Sequence, residues 1–275
     1  MTARAVVLPR VTRRWVAVAA YAAVNIGLAL EGLRPGPEQT DWQLWAALPQ
    51  ALASGTLYAS STDAPFLWSP VAGWLMAGVA YLGYWPWFVL HVAVVFLMKP
   101  GVVTLLTLVS WAFWIDTVQG NTLTFAFVAG ALALRGHRLA GVSYLALFLL
   151  MPRPVQLPLA AWLLWKQPDL RLPGLVLFVS HMAAVLASGY TEEWLTAMVS
   201  HPQPAWNVGP SFFLGLWWLV VGVPLGVWLA WRGRVGLAGL AMSPYLLPQY
   251  LLMPLLDLRA RAPQGSFWPR ADRNP

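Results

Sequence analysis

The stretch LPGLVLFVSHMAAVLAS at residues 172–188 decides the fold. It contains no Asp, Glu, Lys or Arg, and it has the length that a hydrocarbon core about 30 Å thick requires of a helix. Two more runs share both properties: WVAVAAYAAVNIGLAL at 15–30 and SFFLGLWWLVVGVPLGVWLAW at 211–231. Backbone N–H and C=O groups cannot stay unpaired in hydrocarbon, and the runs lack the polar/apolar alternation of a barrel strand. The spans are therefore expected to be helices.

Composition extends this expectation to the whole chain. Of the 275 residues, 59% are hydrophobic and 10% charged, whereas a soluble domain carries roughly a quarter charged residues. The expected fold class is an all-α polytopic transmembrane helix bundle of about eight to ten helical segments, some broken or re-entrant. Residues 1–258 read as one membrane domain, and the Arg- and Pro-rich tail at 259–275 as a disordered extension. The first apolar run follows Arg13 and Arg14 without a small-x-small cleavage pattern, so it reads as a retained span. Cysteine is absent, which removes disulfides, thiolate metal sites and cysteine nucleophiles. The net charge of +7 sits largely in arginine pairs at the ends of apolar runs. That pattern fits membrane orientation, not nucleic-acid binding.

Lys and Arg in short loops mark the cytoplasmic side. Arg4, Arg10, Arg13 and Arg14 place the N-terminus there, so residues 31–65 form an external loop. The clusters Arg135/Arg138, Lys166/Arg171 and Arg232/Arg234 are expected to be cytoplasmic, and residues 189–209, without Lys or Arg, external. Between Arg138 and Lys166 the chain must leave the cytoplasm and return. Met151-Pro152-Arg153-Pro154 is where it can turn, since proline removes a backbone donor and disfavours helix in the residue before it. Residues 243–248, SPYLLP, offer a second break. Residues 83–121 cross either once with a re-entrant piece or three times with short helices, and Lys99-Pro100 fits either side.

Within the external loop, Trp42, Trp45, Leu48 and Leu52 recur at helical spacing, which predicts an amphipathic helix lying at the membrane interface. Asp41 stands at its start, either as a cap for backbone N–H groups or as a base facing a surface cavity. Arg153 is a cation inside an apolar hairpin, either snorkelling to headgroups or binding phosphate through its planar fork. Asp116, Gln119 and Asn121 form a second polar cluster, which a cap or an interhelical bond would also explain. His91, His137, His181 and His201 are isolated and lack metal-site spacing. No cofactor is expected and nothing in the sequence supports a divalent metal, whose requirement stays open, although His201 lies in an external stretch where a sugar or acceptor could be reached. Most of the eighteen tryptophans are explained by interfacial belts and helix packing.

The order of these motifs resembles glycosyltransferase family 87, the polyprenyl-phosphate-dependent, mannosyltransferase-like branch of the GT-C superfamily, over residues 13–256. Asp41-Trp42, then Gly55-Thr56-Leu57-Tyr58, then Phe66-Leu67-Trp68-Ser69-Pro70 look like that family's first external loop and the start of its second span. Gln119-Gly120-Asn121 stands at a Gly-Gln or Gly-Asn element, and Arg153-Pro154 is similar to a Lys-Pro or Arg-Pro turn. Residues 207–211 and 243–250 resemble its later external and terminal elements. The resemblance implies inverting sugar transfer, mannose among the candidates, from a polyprenyl-phosphate donor to a lipid or glycan acceptor at the external face of the plasma membrane. Asp41 would be the general base and Arg153 the donor-phosphate ligand. Tyr58, Trp68, Gln119, Asn121, His201, Asn207 and Tyr245 would line the substrate site. Two other classes fit the same residues: a small transporter or flippase of an anionic lipid or solute, and a catalytically silent membrane scaffold. The absence of a fixed-period internal repeat weighs against the transporter.

Overall fold

A computed structural model describes residues 40–58, 66–99, 101–200, 214–215 and 217–258. The first apolar run, His201, Asn207 and the basic tail lie outside the described residues. Within them the chain is helical, with no strand, and it is cut into more and shorter helices than the eight to ten expected. Among the described residues, one helical stretch, Pro168–Ala187, is long and apolar enough to cross a membrane. The number rises to three if each of two bent helix pairs counts as one span.

Helix α1 (Thr40–Ala53) packs against α2 (Pro70–Ala80). Its aromatic face corrects an expectation. Trp42, Trp45 and Leu48 do not lie on headgroups but are buried in protein, in a cluster with Leu57, Phe66, Ala72 and Met76. The apolar partner is α2 together with Phe66 and Trp68 just before it, which give the indoles a surface within the protein. Ser69 starts α2 by accepting the Ala72 N–H at 3.3 Å, and its hydroxyl donates to the Leu150 carbonyl at 3.2 Å.

Residues 83–121 resolve into α3 (Tyr84–Val95), α4 (Val102–Leu108) and α5 (Trp111–Gln119). The chain bends by 107° between α2 and α3 and by 56° between α4 and α5. At a rise of about 1.5 Å per residue, α4 is only about 10 Å long and cannot cross a bilayer alone. Next come α6 (Leu123–Ala133), α7 (Arg138–Leu150), α8 (Leu157–Lys166), α9 (Arg171–Ala187) and α10 (Thr191–Ser200). The turn between α7 and α8 falls at Met151-Pro152-Arg153, with Arg153 extended and a 3₁₀ turn over Pro154–Gln156. The C-terminal part is α11 (Trp217–Trp231), α12 (Val235–Met242) and a 3₁₀ segment, Pro248–Leu258.

Two ends are chemically distinct. At one, Arg135 donates to the Met98 carbonyl at 2.6 Å and Gln167 to the Ala133 carbonyl at 2.8 Å. These bonds bring Lys99, Arg135, Arg138, Lys166 and Arg171 together. At the other, the Trp194 indole donates to the Leu67 carbonyl at 3.2 Å and Tyr190 stands against Tyr58. Arg153 lies at this second end, across the length of α7 from Arg138.

Glycines set the closest approaches. A Cβ at Gly222 or Gly226 of α11 would strike Ala241 or Met242, and one at Gly239 of α12 would strike the Val155 carbonyl. Such spacing lets the helix backbones pack tightly. It also seats α12 directly on the turn that holds Arg153. The Asp257 carboxylate caps α12, accepting the Gly236 and Leu237 N–H groups at 2.9 Å each.

Candidate functional site

The site is organised by the loop between α5 and α6. Gly120 ends α5 in the left-handed region at φ 75°, a conformation that glycine adopts at little cost. Asp116 is fully buried and accepts the Leu123 and Thr124 N–H groups at 3.3 and 2.7 Å. It therefore caps α6, one of the two roles its sequence position allowed.

Three carbonyls between Val118 and Asn121 are captured by side chains from α1 and α3. The Tyr84 hydroxyl donates to Val118 at 2.8 Å. Gly120 receives two indole N–H groups, Trp45 at 2.8 Å and Trp87 at 2.9 Å, which fills both lone pairs of that oxygen. His91 sets Nε2 against the Asn121 carbonyl and Nδ1 against that of Trp87, at 2.5 and 2.9 Å. These bonds hold the loop backbone on either side of Asn121, so its side chain is aimed by four residues that do not touch it.

Asn121 links the two charged groups. Its amide nitrogen donates to Asp41 Oδ2 at 2.8 Å. Its Oδ1 accepts from Arg153 Nη2 and from the Thr122 N–H. Arg153 Nη1 donates to the Thr122 hydroxyl at 3.2 Å, and its guanidinium lies 5.8 Å from the Trp68 ring centroid. Gln156 fixes the backbone of the turn, accepting the Arg153 N–H at 3.2 Å and donating its own to the Arg153 carbonyl at 2.9 Å. Arg153 is 4% exposed, and its hydrogen-bond acceptors are uncharged oxygens. Its positive charge is thus oriented but not cancelled by direct contact, as an anion site requires.

Asp41 is half-buried. Burial pushes its carboxyl up to about 6, with a further push from Asp116; Arg153 and the Asn121 hydrogen bond pull it down. A carboxylate with that balance can take a proton near neutral pH.

Of the residues singled out in the sequence, Asp41, Asn121 and Arg153 are brought into one hydrogen-bonded chain, and Trp68 borders it. Tyr58 braces Trp68 by donating to its carbonyl at 2.6 Å. Gln119 is half-buried at the end of α5 and takes no part in the chain. Tyr245 stacks on Tyr250 with centroids 5.8 Å apart. Sequence reading does not reach Thr122 or the clamp residues Tyr84 and Trp87, and it leaves His91 isolated. The available signal was the spacing of Tyr84, Trp87 and His91, which puts three polar-tipped rings on one face of a helix.

Among the described residues no group of three or more His, Asp or Glu side chains is arranged to hold a metal ion. An apolar groove of about 600 Å³ lies between α7, α8 and α9, and a second cavity of about 450 Å³ lies at the basic end. Neither is lined by Asp41, Asn121 or Arg153. No family model matches the chain, and neither a curated protein nor a solved structure matches it.

Proposed function

We propose that the chain is an integral membrane glycosyltransferase that moves a sugar from a polyprenyl-phosphate donor to a lipid or glycan hydroxyl at the external membrane face. The observation that supports this best is the chain Asp41–Asn121–Arg153: a carboxylate and a guanidinium held one amide apart, within the span of a sugar phosphate. Asp41 takes the proton of the acceptor hydroxyl while its oxygen attacks the anomeric carbon. The bond from that carbon to the phosphate oxygen breaks, the electron pair leaves with the phosphate, and the configuration inverts.

Each residue has a physical share. General-base help contributes roughly 10²–10⁴-fold. Arg153 offsets the charge that grows on the departing phosphate, an electrostatic effect worth roughly 10²–10³-fold for one well-placed donor. Asn121 holds both groups at fixed separation, so neither has to be oriented during reaction. The exposed apolar side chains of α9, among them Leu172, Leu175, Phe178 and Leu186, fit contact with lipid, where a polyprenyl donor resides.

Purified protein given polyprenyl-phosphate sugar and an acceptor lipid is expected to transfer sugar, and Asp41→Asn to reduce kcat by at least about 10²-fold without lowering Tm. Turnover in Asp41→Asn equal to the parent would remove Asp41 as the base. Flux of an anionic lipid across proteoliposomes without a sugar donor would favour a flippase instead.

A further inference from the structure

The chemistry at Asp41 and Arg153 makes no use of the basic end of the molecule. There α8 finishes at Trp165-Lys166, and the chain turns through a 3₁₀ segment, Pro168–Leu170, into Arg171 at the start of α9. Arg171 reaches back to α8, its Nε donating to the Leu164 carbonyl at 2.9 Å and its Nη2 to that of Trp165 at 3.3 Å. These bonds satisfy carbonyls that the last turn of a helix leaves without partners. They spend two of the roughly five N–H groups of a guanidinium. Lys166 sets its Nζ over the Trp165 ring, 3.9 Å from the centroid. One tryptophan thus gathers two cations. Both are exposed, and the groups that hold them are neutral, so their charge is left for a ligand.

The apolar groove of about 600 Å³ starts at this pair. Trp165 and Arg171 line it together with Leu149, Ala160 and Phe178, which lie farther from the basic end along α7, α8 and α9. From Arg138 to Leu149 along α7 is about 16 Å at a helical rise of about 1.5 Å per residue. That matches one leaflet, half of a hydrocarbon core about 30 Å thick. Gly174 keeps the floor low: a Cβ there would lie 3.0 Å from Leu164 and 3.3 Å from Leu145. The second cavity, of about 450 Å³, adjoins the last turn of α8 and is lined by Arg138 and Lys166, with the acidic Asp169 beside them.

A ligand that suits both halves is amphipathic. A soluble anion would leave the groove empty, and a neutral lipid would leave the cations without a counter-charge. An acyl chain fits the apolar walls, and a phosphodiester accepts charge-assisted bonds from an ammonium and a guanidinium together. Basic pockets between membrane helices recognise anionic headgroups in this way.

We infer that the groove between α7, α8 and α9 is a binding site for an anionic phospholipid of the leaflet at the basic end. One acyl chain lies along Gly174, and the headgroup phosphate sits against Lys166 and Arg171. The site is separate from Asp41–Asn121–Arg153 and does not depend on the reaction proposed there.

The test uses the full chain in a neutral detergent, titrated with dioleoylphosphatidylglycerol or with dioleoylphosphatidylcholine, and bound lipid is counted by native mass spectrometry. The parent is expected to hold phosphatidylglycerol roughly tenfold or more tighter than phosphatidylcholine, the effect of two basic side chains on one anionic head. Lys166→Gln should weaken the phosphatidylglycerol Kd by roughly fivefold, the share of one such side chain. Leu175→Trp keeps every charge and fills the groove, so it should weaken the same Kd by roughly tenfold through overpacking. Should either variant fail to fold, Arg138→Gln and Phe178→Trp carry the same expectations. Equal affinity of the parent for the two lipids would overturn the inference, as would a Kd unchanged within about twofold in the charge variant. Weakening by the charge variant alone would also overturn it, since the anion would then bind a surface and not a groove. Displacement of the bound phospholipid by an equimolar polyprenyl monophosphate would give the site to that lipid instead. None of these failures touches the assignment of Asp41, which is read from sugar transfer.

Discussion

Asp41 shows how one side chain can be poised by opposed forces. Its ordinary value is 3.8, and burial, opposed by Arg153 and Asn121, leaves it at about 6. A general base works only when ionised, so kcat/KM is expected to fall as pH drops through about 6. Arg153→Gln removes a group that lowers the Asp41 value, so the acid limb of its residual activity should move to higher pH. Stability runs the other way. A carboxyl that binds its proton more tightly when folded favours the fold below 3.8, and that advantage fades as pH rises through about 6. Thermal unfolding of the parent at pH 4 and pH 7 should therefore differ more than that of Asp41→Asn. A pH profile of kcat/KM that is flat from 5 to 7 would contradict the assignment of Asp41 as the base.

At the scale of elements, the loop between α5 and α6 is positioned from outside itself. Gly120 is its weakest point and its pivot: a Cβ there would sit 3.2 Å from the Trp42 ring, on a backbone in the left-handed region. Gly120→Ala is expected to cost about 1–2 kcal/mol of stability. Transfer activity should fall much further, by about 10²-fold, because a displaced Asn121 separates the groups it joins. Equal activity in the Gly120→Ala protein would show that the clamp does not matter to the site. How much of this was legible in the sequence follows from the range of the interactions. The α7–α8 turn was legible because Pro152 and Pro154 act on their own neighbours. The Asp116 cap was legible only as one of two choices, since its partners lie just seven and eight residues ahead. The bond from Asn121 to Asp41 spans 80 positions and that to Arg153 spans 32. No local pattern encodes such a meeting; it emerges only when α1, α3 and α7 pack. The same limit explains the misjudged face of α1, whose indoles suit a lipid interface and a protein groove equally well until the groove is built.

On the whole molecule, the distribution of charge makes the last prediction. Lys99, Arg135, Arg138, Lys166 and Arg171 gather at one end, while α10 carries the exposed Glu192 and Glu193 beside the end that holds Arg153. A bilayer orients such a molecule with its basic end in the cytoplasm, which would put Asp41, Asn121 and Arg153 at the outer surface. The chain has no cysteine, so single cysteines report without background. Glu192→Cys and His137→Cys replace exposed side chains at the two ends. In intact spheroplasts an impermeant maleimide should label the cysteine at 192 directly and the one at 137 only after permeabilisation. Labelling of both from the same side would mean that the two ends do not face opposite compartments. The donor would then have to be delivered to the cytoplasmic leaflet, and the external glycosyltransferase assignment would fail even if Asp41 and Arg153 still shared a site.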